Sequence, residues 1–305
     1  MCYKSSMFVD SHCHLEMEAF DRDRKEVIER SLQEGLSYIL TVGTEEAYFE
    51  KVIEIIDAYP GIYGAIGIHP HNSNDYGESI EKTIRAHLKH QKIVGYGEIG
   101  LDFFKNYSPK ESQIRAFQAQ IDVAKREGLP LIVHSRSAKE ETIDILNDAF
   151  DGTIEGVGVI HCYSYDVDAA KRFLDMGFYL SMPGTITYKN TEPLIEVMRY
   201  LPADRILAET DAPFLTPNPY RGKRNEPRLV KYTIEKIASV RNQSVEETAS
   251  MLRDNFIRLF LNGTRGGRNC DTNSHSKIER GDKEEATEAY ISVRRGDDDE
   301  GNKVI

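Results

Sequence analysis

Eight short and nearly uninterrupted apolar runs, each followed by a longer stretch of helical periodicity, constrain this 305-residue chain more than any other feature. The runs are Met7–Ser11, Tyr38–Val42, Tyr63–Ile68, Ile93–Gly97, Leu131–His134, Val157–His161, Phe178–Ser181 and Ile206–Ala208. Strands that are apolar on both faces need cover on both sides, which a parallel sheet flanked by helices supplies. Among the intervening stretches, Ser108-Pro-Lys-Glu111 reads as a capping box with proline at the first helical position. Ile114, Phe117, Ile121 and Ala124 then share one face, and Gly128-Leu-Pro130 ends the helix. A second helix starts near Lys139, turns Ile143, Leu146 and Phe150 one way, and is expected to end at Gly152. Eight strand–helix pairs within about 260 residues fit an α/β fold of the (β/α)8 TIM-barrel type. An open doubly wound sheet is the alternative, and the chain carries no G-x-G-x-x-G or G-K-[ST] loop to support it.

Beyond Gly263 the apolar periodicity stops. The barrel domain is expected to span 1–263, followed by a tail, 264–305, rich in Asn, Ser, Gly and charge, with Tyr290 its only aromatic residue. Such a composition buries too little apolar surface to offset its ordering entropy, so the tail is expected to be disordered. The net charge of −11, from 39 basic and 50 acidic residues, argues against a surface that coats nucleic acid throughout. Contact with nucleic acid would have to be local, through a basic patch or bound cations. There is no apolar run of about 18 residues, so no membrane span is expected. The opening residues lack the apolar core of a secretion signal. Met7 begins the first apolar run and is a candidate translation start, which N-terminal sequencing would test. Cys2, Cys13, Cys162 and Cys270 show no disulfide or C-x-x-C spacing, which suits a reducing cytoplasm.

Residues able to bind metal cluster where the runs end. His12 and His14 follow the first run, and side chains two apart on an extended chain point the same way. Glu98 follows the fourth run, His134 and His161 close the fifth and sixth, and Asp211 follows the eighth. A lone histidine there is usually a hydrogen-bonded core or cap residue, and a lone Asp before Ala-Pro is usually a turn. Six together differ, because barrel enzymes build their sites from the carboxyl ends of their strands. Four imidazoles and two carboxylates buried side by side would need partners, and a divalent cation supplies them. The donor set suits Mg, Mn or Zn.

Asp10-Ser-His-Cys-His14, Gly67-Ile-His-Pro-His71, Gly97-Glu-Ile-Gly-Leu-Asp102, Val133-His-Ser-Arg136, His161-Cys and Glu209-Thr-Asp-Ala-Pro213 together resemble the TatD family of metal-dependent hydrolases. The run Tyr220-Arg-Gly-Lys-Arg-Asn-Glu-Pro227 resembles it as well, and the match covers roughly Met7 to Leu261. Tyr165 is a departure, standing where the family usually has glycine. The resemblance implies an amidohydrolase-like barrel with two divalent ions. His12, His14 and Asp211 would hold one, His134 and His161 the other, and Glu98 would bridge them. A water between the ions would be the nucleophile, with Asp211 accepting its proton. His69, at the end of the third run, would take a substrate or catalytic role; His71 is evenly balanced between that and an exposed turn. Glu209, two residues before Asp211, is expected to point into the same site, behind the ligands or as a weak extra ligand. Arg136 and the local basic group Arg221, Lys223 and Arg224 would hold phosphate, although a solvated charge run is the ordinary reading of such a group. Tyr163, Tyr165, Tyr188 and Phe214 sit in loops where they could stack on bases or simply pack.

The function expected from this is hydrolysis of phosphodiester bonds in DNA, as a monomeric 3′–5′ exonuclease on single strands. One alternative is an amidohydrolase-like ester or amide hydrolase acting on a small metabolite or an aminoacyl-tRNA ester. Another is a non-enzymatic scaffold, which would have no need of six convergent ligands.

Overall fold

The computed structural model of the chain describes residues 7–150 and 156–262; the expected tail and Gly152 lie outside them, and the helix expected to reach Gly152 ends earlier, at Ala149. Eight parallel strands run in sequence order: β1 (Phe8–Cys13), β2 (Leu36–Gly43), β3 (Ile62–Ile66), β4 (Ile93–Asp102), β5 (Leu131–Arg136), β6 (Gly158–Ile160), β7 (Phe178–Met182) and β8 (Ile206–Ala208). Around them lie α1 (Arg24–Gln33), α2 (Glu46–Ala58), α3 (Glu78–His87), α4 (Lys110–Glu127), α5 (Lys139–Ala149), α6 (Val167–Asp175), α7 (Glu192–Tyr200), α8 (Val230–Arg241) and α9 (Val245–Phe256). This is a (β/α)8 barrel. Its apolar residues divide as the two-sided burial of the strands requires. One set, including Leu40, Ala65, Ile132, Val159 and Leu207, points inward, and Phe256 and Phe260 from the last helical segment join it. The other set faces the surrounding helices.

The ring closes through the backbone just past β8. Asp211 N donates to His12 O at 2.9 Å, His14 N donates to Ala212 O at 2.7 Å, and Cys13 bridges to Ala212. Across the same seam the buried Asp10 carboxylate accepts from Thr210 N and Oγ1, at 2.9 and 2.5 Å. Barrel closure therefore sets Asp211 directly beside the two histidines of β1.

Two local expectations need correction. Helix α4 starts at Lys110, with Pro109 at its N-cap and no side-chain cap, so Ser108 does not form a capping box. Ser108 Oγ instead donates to His71 O at 2.8 Å, tying the start of the helix to the loop after β3. A capping box does form at Ser244 and Glu247, ahead of α9. In addition, β4 continues five residues past the expected Gly97, to Asp102, so Glu98 lies within the strand rather than after it. Among the described residues no helix is long and apolar enough to cross a membrane.

Candidate metal centre

Two irregular strand pairings lie where the ligand-type residues are. On β1, Asp10 pairs with Ile39 and Cys13 with Thr41, so three steps match two on the neighbouring strand. On β4, Gly97 pairs with Ile132 and Ile99 with Val133, which leaves Glu98 without a partner on β5. An extra residue of this kind re-aims the side chains beside it. Past it, β4 runs so close to β5 that a Cβ on Gly100 (φ +140°) would stand 1.9 Å from His134 O. Only glycine fits there.

Glu98 is 3% exposed, and its two oxygens face two different sets of nitrogens. Oε2 lies 3.3 Å from His12 Nε2 and 3.7 Å from His14 Nε2. Oε1 lies 2.8 Å from both His134 Nδ1 and His161 Nε2, and 3.4 Å from His69 Nε2. Asp211 Oδ1 joins the first set, 3.3 Å from His14 Nε2 and 3.8 Å from His12 Nε2. The expected six residues thus come together, and their atoms separate into two groups about one carboxylate. Burial opposes the charge on Glu98, but His161, His69, His12 and His134 outweigh it and hold the carboxyl well below its ordinary range. Burial likewise opposes the charge on Asp211, and His14 overcomes it.

The hydrogen bonds decide whether this donor set fits a cation. His14 Nδ1 lies 2.9 Å from Val42 O and 3.2 Å from Glu16 Oε1, which can only accept. Nδ1 therefore carries the proton, and neutral His14 turns a lone pair on Nε2 toward His12 Nε2, 3.2 Å away. His134 Nε2 faces Asp102 Oδ2 at 3.3 Å, which leaves its Nδ1 lone pair against Glu98 Oε1 and against His161 Nε2 at 3.2 Å. Tautomers assigned in this way follow from the surrounding acceptors. Lone pairs pressed against a buried carboxylate repel unless positive charge stands among them. Either a proton or a metal ion meets that need, so the residues fit a metal. His14 shows the demand: burial disfavours its protonated form, yet Asp211 and Glu16 hold its pKa well above the usual imidazole value. Three groups could hold an ion, each with donor atoms within 4.8 Å of one another: His12, His14 and Asp211; His69, Glu98 and His134; and His12, His161 and Glu209.

A carboxylate stands behind each of three histidines: Glu16 behind His14, Asp102 behind His134, and Glu209 Oε1 3.4 Å from His161 Nδ1. Such partners fix the tautomer and ring orientation of a ligand. Glu209 was expected in this role; Glu16 and Asp102 were missed. No strand period points to them: Glu16 lies in the turn past Cys13, where β1 ends, and Asp102 lies beyond the irregular pairing at Glu98. His69 accepts His71 N–H on Nδ1 at 3.1 Å, so its remaining proton sits on Nε2, toward Glu98. Burial drives its pKa down to about 4, against the pull of Glu98. His71 is bound to Asp102 Oδ2 at 2.9 Å.

The cluster lies in a cavity of about 830 Å³, lined among others by His69, Lys105, Tyr107, Arg136 and Phe214. Arg221, Lys223 and Arg224 do not line it. Arg224 forms a two-pronged pair with Asp23 at 2.8 and 2.7 Å and packs over Phe20, whereas Arg221 lies 4.4 Å over the Tyr188 ring. Of the four aromatic residues expected near bases, three have hydroxyls engaged internally: Tyr163 with Asp166 O, Tyr165 with Ser135 Oγ and Tyr188 with Thr216 O. Phe214 is exposed.

The model of the family described as TatD related DNase matches residues 9–261. The Bacillus subtilis metal-dependent hydrolase YabD is 42% identical over 254 residues, covering 83% of this chain and 99% of that protein. The Escherichia coli metal-dependent hydrolase YcfH is 34% identical over 255 residues, covering 83% of this chain and 95% of that one. The crystal structure of the TatD homologue YjjV from E. coli superimposes with a TM-score of 0.77 at 30% identity, covering 84% of this chain and 98% of that one.

Proposed function

Because the chain belongs to the TatD-related DNase family, we propose that it hydrolyses phosphodiester bonds of DNA, removing nucleotides from the 3′ end of single strands. The observation that carries this reading is Glu98, whose two oxygens face two separate sets of imidazoles. A carboxylate so placed could serve two divalent cations at once, as two-metal phosphoryl-transfer sites require. In the proposed assignment His12, His14 and Asp211 would hold one ion, His134 and His161 would hold the other, and Glu98 would serve both, with Mg, Mn or Zn suited to the donors. Bound divalent ions lower the pKa of water and neutralise the phosphate, which a chain of net charge −11 would otherwise repel.

The chain's own residues do the rest. Asp211 lines the cavity and is held ionised, so its carboxylate is the base that takes a proton from the attacking water. His69, neutral with its proton on Nε2, donates to a phosphate oxygen rather than acting as a cationic acid. Arg136 and Lys105 on the cavity wall hold the strand's phosphates. Incubating 5′-labelled and 3′-labelled single strands with the protein and Mn²⁺ tests the reading. A ladder from the 5′ label and early release of mononucleotide from the 3′ label are expected. Internal fragments from both labels would replace the exonuclease assignment, and no cleavage of either strand would remove the DNA assignment.

A further inference from the structure

Among the described residues only four large apolar side chains are exposed, and three of them stand around the mouth of the barrel. Phe214 is 50% exposed, in the loop after β8; Phe104 and Tyr107, 61% and 66% exposed, belong to the loop after β4. In a ring of eight strands in sequence order, β4 and β8 are four places apart, across the diameter. Phe214 packs against a candidate ligand, and Tyr107 packs against the histidine bound to Asp102. Phe214 meets His14 edge to face at 6.2 Å, and Tyr107 meets His71 at 4.7 Å. On the β4 side cations lie against the rings: the Arg136 guanidinium lies 4.1 Å over Phe104, and Lys105 Nζ is 5.9 Å from the centre of Tyr107.

Leaving these rings in water gives up the stabilisation that their burial would bring. A metal hydrolase of small esters has no use for two of them on opposite sides of its cluster. A nucleic-acid strand does, since every base offers a face for stacking whatever its sequence, and a cation beside a stacking ring meets the adjoining phosphate.

We propose that Tyr107 and Phe214 are base-stacking platforms on opposite sides of the bond that is cut, with Arg136, propped by Phe104, and Lys105 gripping the backbone on the Tyr107 side. This rests on the phosphodiesterase reading above and narrows it. The preferred substrate is an oligonucleotide unpaired on both sides of the scissile phosphate. A duplex end, whose bases are already stacked, is disfavoured, and a minimal diester without bases gains nothing from either ring.

The test compares two substrates, a single-stranded oligodeoxynucleotide and a small diester without aromatic rings (two abasic tetrahydrofuran sugars joined by one phosphodiester), in wild type, Tyr107→Ala, Tyr107→Phe, Phe214→Ala and Phe214→Tyr, all with Mn²⁺. Each alanine variant is expected to raise KM for the oligonucleotide roughly 5- to 100-fold, the usual worth of one stacked base. Its kcat/KM on the small diester stays within about twofold, and the Phe and Tyr variants retain wild-type KM. Equal losses on both substrates would mean that the rings only support the fold, and unchanged KM for the oligonucleotide would mean that they do not touch it; either overturns the proposal. If wild type cleaves the small diester but not the oligonucleotide, the platforms fail while the phosphodiesterase chemistry stands. If wild type cleaves neither, that chemistry fails, and anisotropy of a labelled oligonucleotide then decides the platforms. Weaker binding in the alanine variants supports them, and equal binding refutes them.

Discussion

Asp102 Oδ2 lies 3.3 Å from Nε2 of His134, the ring nitrogen turned away from Glu98. This bond decides which nitrogen of His134 faces the cluster, because a carboxylate accepts only from N–H. Burial works against the charge on Asp102, but His134 and the backbone N–H of Lys105 hold its carboxyl far below the ordinary range. Asp102 Oδ1 separately accepts from Phe104 N at 3.0 Å and Lys105 N at 2.8 Å, shaping the loop that carries the exposed rings.

Asp102→Asn keeps an acceptor for that loop but replaces the charge behind His134. The variant is expected to fold with a lowered Tm, because the depressed Asp102 carboxylate adds stability at neutral pH, and to need about 10- to 100-fold more metal for half-maximal activity. Titrating activity against Mn²⁺ measures this. An unchanged metal requirement would show that Asp102 does not orient a ligand.

His69 separates two kinds of catalysis. With Nδ1 occupied by His71 N–H and a pKa pushed down to about 4, it is neutral throughout the range from pH 6 to 8. A neutral donor can be imitated by an amide. His69→Ala is expected to lower kcat by roughly 10²–10³-fold, as loss of one preorganised donor does, and His69→Gln to recover at least part of it. If His69→Gln were as inactive as His69→Ala, donation from a neutral group would be the wrong role.

Much of this arrangement was legible in the chain. The eight apolar runs gave the barrel, and the positions of His12, His14, Glu98, His134, His161 and Asp211 relative to those runs brought them to one end of it. What escaped the reading depended on contacts between distant segments. Ser108 has the local signature of a cap, but the His71 carbonyl takes its hydroxyl. Arg224 stands in a basic run near Asp211, but Asp23 at the start of α1 holds it. Asp102 looked like the end of a motif because nothing in the sequence shows β4 running on beside His134. Phe104 and Tyr107 carry no periodic signal at all, and their exposure is visible only once the loop is placed.

The loop after β8 is fastened to α1 by charges whose pH dependence has a definite sign. Glu226 receives Arg30 through two bonds of 2.8 and 2.7 Å and Arg228 through a third of 2.8 Å. Burial alone would raise the Glu226 carboxyl, but the two guanidinium groups outweigh it and hold it below its ordinary value. The bond from Arg224 holds Asp23 down in the same way. A carboxyl depressed in the folded state adds stability above its unfolded pKa, about 4.3 for Glu and 3.9 for Asp, and loses it as pH falls through the folded value. Wild-type Tm is therefore expected to fall as pH drops from about 5 toward 3. Glu226→Gln should lower Tm at pH 7 by roughly 2–6 °C, the effect expected from weakening one charged hydrogen-bond pair in a domain of this size, and should fall less steeply over the acid window. Parallel curves for the two proteins would show that this network is not what titrates.

The central claim is that Glu98, set between two groups of imidazoles, organises a metal-dependent site that cuts DNA. Digestion of an end-labelled single strand with Mn²⁺, with excess EDTA, and with Glu98→Gln in place of wild type tests it most directly. Cleavage by wild type that EDTA abolishes and added Mn²⁺ restores is expected, together with a loss of at least about 10³-fold in Glu98→Gln, as removal of one member of a concerted site produces. Cleavage that persists in EDTA, or in a folded Glu98→Gln at near wild-type rate, would contradict it.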